Sequence, residues 1–126
     1  MLFRSEYEEK ALAIRIEIGE REGEAGSYGN LGTLLQSLGR YDKAQEYQEK
    51  ALAIRIEIGD KKGEAASYGN LGALFQSLGR YDKAHEYQEK ALAIRIEIGD
   101  QEGESASYGN LGTLFQSLSK IGRAHV

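Results

Sequence analysis

Two features of this chain have the residue types for chemistry: paired carboxylates, and a glycine-spaced run that could cradle phosphate. Glu46 and Glu49 stand three apart, so a helix would present both on one face. A di-metal site of that kind needs a Glu-x-x-His partner, and the sequence has none. The run Gly29-Asn30-Leu31-Gly32 recurs from Gly69 and from Gly109. No strand pattern precedes it and no GK[ST] follows, which argues against a phosphate loop. Close packing between helices is the expected role of Gly32 and Gly72. His85 and His125 are the only histidines, and neither has ligand partners nearby in sequence. Cysteine is absent, which removes disulfides, thiolate nucleophiles and zinc–cysteine sites. No catalytic residue, metal ligand or cofactor is expected, and the chain is not expected to be an enzyme.

Bulk composition narrows the partners. The 16 basic and 20 acidic residues give a net charge of −4. Nucleic acid is not an expected partner, because phosphates require a basic stripe. The tyrosines and phenylalanines then read as core residues and not as a base-stacking surface. No apolar run approaches the roughly 18 residues of a membrane span, and no signal-peptide pattern opens the chain. A membrane partner is not expected, and the default location is cytoplasmic.

The elements that position these residues are repeats. EYQEKALAIRIEIG at residues 46–59 returns letter for letter at residues 86–99, and EYEEKALAIRIEIG begins at Glu6. SYGNLG begins at Ser27, Ser67 and Ser107, so the period is 40 residues. A fixed period of this size means stacked supersecondary units that touch only their neighbours. In one unit, Ala65, Tyr68, Leu71, Leu74, Phe75 and Leu78 recur at spacings of three and four, predicting a helix from Asp60 to Leu78. Asp60 is placed to cap it and Gly79 to end it. Asp82 opens a second helix running to about Ile98, with Ala84, Tyr87, Ala91, Ile94 and Ile98 on one stripe. Its outward side, with Asp82, Lys83, Glu86, Glu89 and Lys90, reads as a solvated face. Residues 94–98 alternate apolar and polar like a strand. They continue a helical stripe without a breaker, behind the strong helix former EKALA, so helix is expected.

The period breaks at both ends. Residues 1–5 read MLFRS where later copies read YDKAQ and YDKAH, and residues 121–126 read IGRAHV where another YDKA would begin. Leu2 to Ser5 resembles a translation of a 5′ adapter used in short-read sequencing, and Ile121 to Val126 resembles the 3′ adapter. Residues 1–5 and 120–126 are therefore expected to be non-native ends around an array fragment at residues 6–119. Setting aside Arg4, Lys120 and Arg123 makes that array more acidic by three charges.

Tyr68, Leu71, Gly72, Phe75, Gly79, Tyr81, Ala84 and Ala91 resemble the tetratricopeptide repeat. The same set stands at Tyr28, Leu31, Gly32, Gly39, Tyr41, Ala44 and Ala51, with Leu35 replacing the aromatic. The period exceeds that motif's usual length of about 34, and the proline that closes its second helix is missing. This long form, with its GD-x-x-GEA joint, looks like the repeats of Pins-type polarity adaptors of G-protein signalling. It looks less like kinesin light chain, whose joint carries an acidic-His-Pro element. The resemblance implies an all-α, right-handed superhelical solenoid of helical hairpins. Six helices would follow in the order B-A-B-A-B-A, the first lacking its A partner and the last its B partner.

The resemblance also implies a concave groove lined by the A helices and holding an extended peptide. By position, its residues are Gly29, Asn30, Thr33, Gln36 and Ser37, then Gly69, Asn70, Ala73, Gln76 and Ser77, then Gly109, Asn110, Thr113, Gln116 and Ser117. An asparagine amide donates and accepts, so it can bridge an extended backbone. The three asparagines are expected to be mostly exposed and free of intramolecular partners. The adaptors place arginine one turn earlier to grip acidic peptides; Gly26, Ala66 and Ala106 stand there, which argues against an acidic ligand. The expected function is a noncatalytic protein-interaction scaffold, with a spacer in a longer array or an enzyme's regulatory appendage as alternatives. Ala11, Ile14 and Ile18 at one end, and Leu111, Leu114 and Phe115 at the other, are expected to lie uncovered and favour end-to-end self-association. Residues 121–126 are expected to be disordered.

Overall fold

The computed structural model describes residues 3–124, with side chains through residue 121. Among these residues there are six α-helices and no strand: α1 (Arg4–Glu17), α2 (Arg21–Ser37), α3 (Tyr41–Glu57), α4 (Lys61–Ser77), α5 (Tyr81–Glu97) and α6 (Gln101–Ala124). The alternating segment after Ala93 is helical through Glu97, with Ile94 buried and Ile96 exposed. Helix periodicity, not alternation, decides which isoleucine faces the core.

Each joint is short because a glycine in the left-handed region closes the helix before it. Gly59 and Gly79 adopt φ of +73° and +74°, a region closed to most side chains. The chain then reverses with Arg80 N–H donating to Phe75 C=O (2.8 Å) and Gly79 N–H to Gln76 C=O (3.0 Å). That bond pair is a Schellman stop. On the far side of the next joint, the Asp60 carboxylate accepts from Gly63 N–H at 2.9 Å, and Asp100 accepts from Gly103 N–H at 3.0 Å. Glu20, one methylene longer, makes no such cap for α2.

Sequential helices pack pairwise, and α2 also touches α4, as α4 touches α6. Among the described residues, no equivalent contact joins α1 to α3 or α3 to α5. The A helices α2, α4 and α6 are thus the closer-spaced inner layer of a curved double row, and the B helices form the outer one. Small B-helix residues let the layers approach: Ala44 and Ala84 are fully buried against Leu71, Leu74, Phe75 and Leu114. Tyr87 stacks on Phe75 and Tyr68, with ring centroids 5.5 and 5.8 Å apart. Burial raises the pKa of the Tyr68 phenol, and the neighbouring Glu64 charge adds to this.

The two ends depart from expectation in part. Ile14 and Ile18 are exposed and Phe115 is largely exposed, but Ala11 is half-buried, and Leu111 and Leu114 are buried. The last two point back toward α4 and α5, so the preceding unit covers them without any following helix. Where disorder is expected, residues 121–124 are helical: α6 runs on through Ala124, with no glycine stop at Ser119 where Gly39 and Gly79 end the earlier A helices. Residues 125–126 lie outside the described residues. Leu71 has no exposed surface, so Leu71→Ala should cost about 2–5 kcal/mol in urea denaturation. An unchanged midpoint would refute this packing.

Candidate functional site

The polar residues of the inner layer fall into a row whose members hold one another. Gln36 Nε2 donates to Ser77 Oγ at 3.4 Å, and Gln76 Nε2 to Ser117 Oγ at 3.4 Å, so each A helix reaches the next by one rung. Thr33, Ala73 and Thr113 are exposed between the rungs. Thr33 and Thr113 turn their hydroxyls onto their own helix, donating to the carbonyls of Gly29 and Gly109 at 3.1 Å. Ser37, Ser77 and Ser117 likewise donate one turn back along the helix. The side chains of the row are themselves uncharged, and Asn30 meets the carboxylate of Glu8.

The asparagines are not free of partners. Asn30 Nδ2 donates to Glu8, Asn70 to Gln48 and Asn110 to Gln88, each at 3.5 Å. Each contact sits at the weak limit of hydrogen-bond geometry, so it orients the amide without consuming it. Asn30 and Asn110 are exposed and Asn70 is half-buried. Their carbonyl oxygens accept no bond among the described residues. The glycines divide. A Cβ at Gly69 or Gly109 would meet nothing within 4 Å, whereas Gly29 is buried beneath the row and cannot line it.

Sequence reasoning missed the residue that organises this face. Gln48 and Gln88 are only 1% and 2% exposed. Gln48 Nε2 donates to Gly29 C=O at 3.1 Å while Gln48 Oε1 accepts from Asn70, tying α2, α3 and α4 together. Gln88 repeats this with Gly69 C=O (3.2 Å) and Asn110. Both glutamines lie on Gly32 and Gly72, where a Cβ would come within 2.6 and 2.7 Å of the amide. Packing, not phosphate, requires these glycines. The signal was present: Gln48 falls four residues after Ala44 and three before Ala51, on the buried stripe.

A second recurring bond crosses each outer joint. Arg55 Nη1 donates to the buried Ser67 Oγ at 2.9 Å, and Arg95 to Ser107 at 2.8 Å; Arg15 is bonded to Ser27 in the same way. A Cβ at Gly63 or Gly103 would collide first with the capping carboxylate of Asp60 or Asp100 and then with this arginine's stem, which explains the second glycine of the joint. Among the ion pairs, Arg21–Glu24 and Lys61–Glu64 have largely buried carboxylates, and the others are exposed. Glu46–Lys50 and Glu86–Lys90 span 3.6 and 3.7 Å, and pairs of this kind contribute little. The Arg21 pKa is raised, chiefly by its hydrogen bond to Glu57.

A cleft of about 450 Å³ lies between α1 and the end of α2, lined by Phe3, Leu31, Leu34 and Leu38. Smaller clefts recur at the joints, where Leu78 faces residues 39–43 and Leu118 faces residues 79–83. Among the described residues, no three acidic, cysteine or histidine side chains gather as a metal site. No helix there is long and apolar enough to cross a membrane. What the geometry offers is an uncharged, amide-rich strip on a helical scaffold.

The sequence profile of the tetratricopeptide repeat matches residues 6–57, 23–97 and 63–125, and the chain belongs to that family. Repeats of this family generally mediate protein–protein contacts. No curated protein matches. Among solved structures, BtubC (BKLC) from P. vanneervenii is 28% identical with a TM-score of 0.80, covering 96% of this chain and 51% of that one. A STAND-type signal transduction ATPase with a tetratricopeptide repeat sensor, from Pyrococcus horikoshii, is 28% identical with a TM-score of 0.77, covering 84% and 16%. The nearly identical repeats of a kinesin light chain-like protein from Podosopora anserina share the fold, with a TM-score of 0.70 at 23% identity, covering 96% and 60%. The chain thus spans less than two thirds of the length of these structures.

Gln88→Ala should destabilise the array by about 1–3 kcal/mol, because it removes a buried bond to the Gly69 carbonyl and leaves the space over Gly72 unfilled. Asn70→Ala should stay within about 0.5 kcal/mol. Paired urea melts check this ordering, and equal losses would show that the asparagine is structural.

Proposed function

We propose that this array holds an extended, uncharged segment of another protein along its inner face, without catalysis. The supporting observation is the amide row itself. Asn30, Asn70 and Asn110 stand one to each inner helix, weakly held from behind, beside Gln36, Gln76 and Gln116. Amides spaced in this way can donate to and accept from successive backbone groups of an extended chain. Gly69 and Gly109 leave space beside their asparagines for a close backbone approach, with Thr33, Ala73 and Thr113 as the small floor between rungs. Gly29 contributes by presenting its carbonyl to Gln48, so it acts as a support and not as lining. The neutrality of the row, together with Gly26, Ala66 and Ala106 one turn earlier, favours a segment without clustered charge. That absence of arginine also separates the array from the acidic-peptide chemistry of Pins-type adaptors.

The test begins by selecting binders to the 126-residue chain from a displayed library of random peptides. Their affinity is then measured for the wild type and for the Asn30→Ala, Asn70→Ala, Asn110→Ala variant. Binding should fall at least about tenfold in the triple variant while helix content is kept, since exposed substitutions rarely cost more than about 0.5 kcal/mol each. Equal affinity for both proteins would sink the assignment.

A further inference from the structure

Helices α1 and α6 carry the two halves of an interface that this chain already makes within itself. In the second unit, α5 covers α4, and Phe75 is 2% exposed beneath Tyr87. The same position on α6 is Phe115, which is 57% exposed, and Tyr108, the counterpart of Tyr68, is also exposed. The helix α6 repeats the core-facing residues of α4: Leu71, Gly72, Leu74 and Phe75 become Leu111, Gly112, Leu114 and Phe115. At the other end, residues 6–19 of α1 and its cap match residues 86–99 at every position except Glu8, which stands where Gln88 stands. Tyr7, the counterpart of Tyr87, is exposed, and Ile14 is 57% exposed where Ile54 is 5%.

We infer that α1 of a second copy of this chain covers α6, in the register that α5 holds on α4. Tyr7 of one copy then stacks on Phe115 and Tyr108 of the other, as Tyr87 stacks on Phe75 and Tyr68. Glu8 falls on Gly112, where a Cβ would meet nothing within 4 Å, in contrast to Gly32 and Gly72 beneath their glutamines. The contact is heterologous, using different surfaces on the two copies, so it propagates as an open chain of molecules and does not close as a dimer.

Two residues weaken this contact relative to its internal version. Glu8 as a carboxylate cannot donate to the Gly109 carbonyl as Gln88 donates to Gly69, leaving one acceptor facing another. Arg4 stands where Ala84 is fully buried against the core cluster. Association is therefore weak in the wild type, and restoring the internal sequence strengthens it.

Sedimentation velocity across a concentration series tests this with four proteins. The Arg4→Ala, Glu8→Gln variant should self-associate more tightly than wild type by about fivefold or more, since the buried acceptor regains its donor. Tyr7→Glu alone and Phe115→Glu alone should each sediment as monomers, with helix content unchanged because both side chains are exposed. Mixed, they should form one-to-one dimers, because one keeps its intact α6 face and the other its intact α1 face. The inference is overturned if the repaired variant stays monomeric or if the mixture shows no dimer. It is equally overturned if either single variant still associates, since that would place the contact between like ends.

Discussion

A helical hairpin of 40 residues cannot bury both of its apolar faces by itself, and this one fact governs the molecule. Each A helix needs a B helix on one side and a neighbouring unit on the other. Where both are present, as around Leu71, Leu74 and Phe75, the core is closed. Where one is missing, a residue with the same letter and the same place in the repeat becomes surface, as Phe115 and Ile14 do. Burial here is a property of position in the stack more than of the residue, the expected behaviour of a quasi-one-dimensional fold.

Apolar coverage alone would let neighbouring units slide, and two buried polar bonds set the register. Gln48 and Gln88 grip a glycine carbonyl inside their own hairpin and receive an amide from the next unit. Arg55 and Arg95 reach across the outer joint to a buried serine. Each would leave a stranded buried partner if a unit shifted by a turn, and such a partner costs more than the bond gains. The same glutamines aim Asn70 and Asn110, so the bond that fixes the stack also arranges the proposed binding strip. The support and the proposed strip are one network.

The sequence made the architecture legible because periodicity is a global signal. Six helices, their joints, the caps at Asp60 and Gly79 and the burial of Leu71 all follow from spacing. Individual polar side chains were harder. Gln48 reads as an ordinary surface glutamine until its place between Ala44 and Ala51 is weighed, and Asn70 reads as free because its partner lies 22 residues away on another helix. Gly29 stands at a groove position of the repeat, yet Arg55 and Gln48 lie over it while Gly69 and Gly109 stay open. The run-on of α6 through Ala124 was hidden by reading a break in the repeat as a break in structure. A lost repeat register removes the glycine stop without removing helix propensity.

If coverage by neighbours is what stabilises each helix, native-state hydrogen exchange resolved along the chain should grade with position. Amides of α4, flanked by both α3 and α5, should exchange slowest. Those of α1 should exchange fastest, along with those of α6 beyond Leu118, although these helices carry nearly the same sequence as their inner counterparts. Uniform protection from α1 to α6 would contradict the account, because it would mean that the helices hold themselves and owe little to the stack.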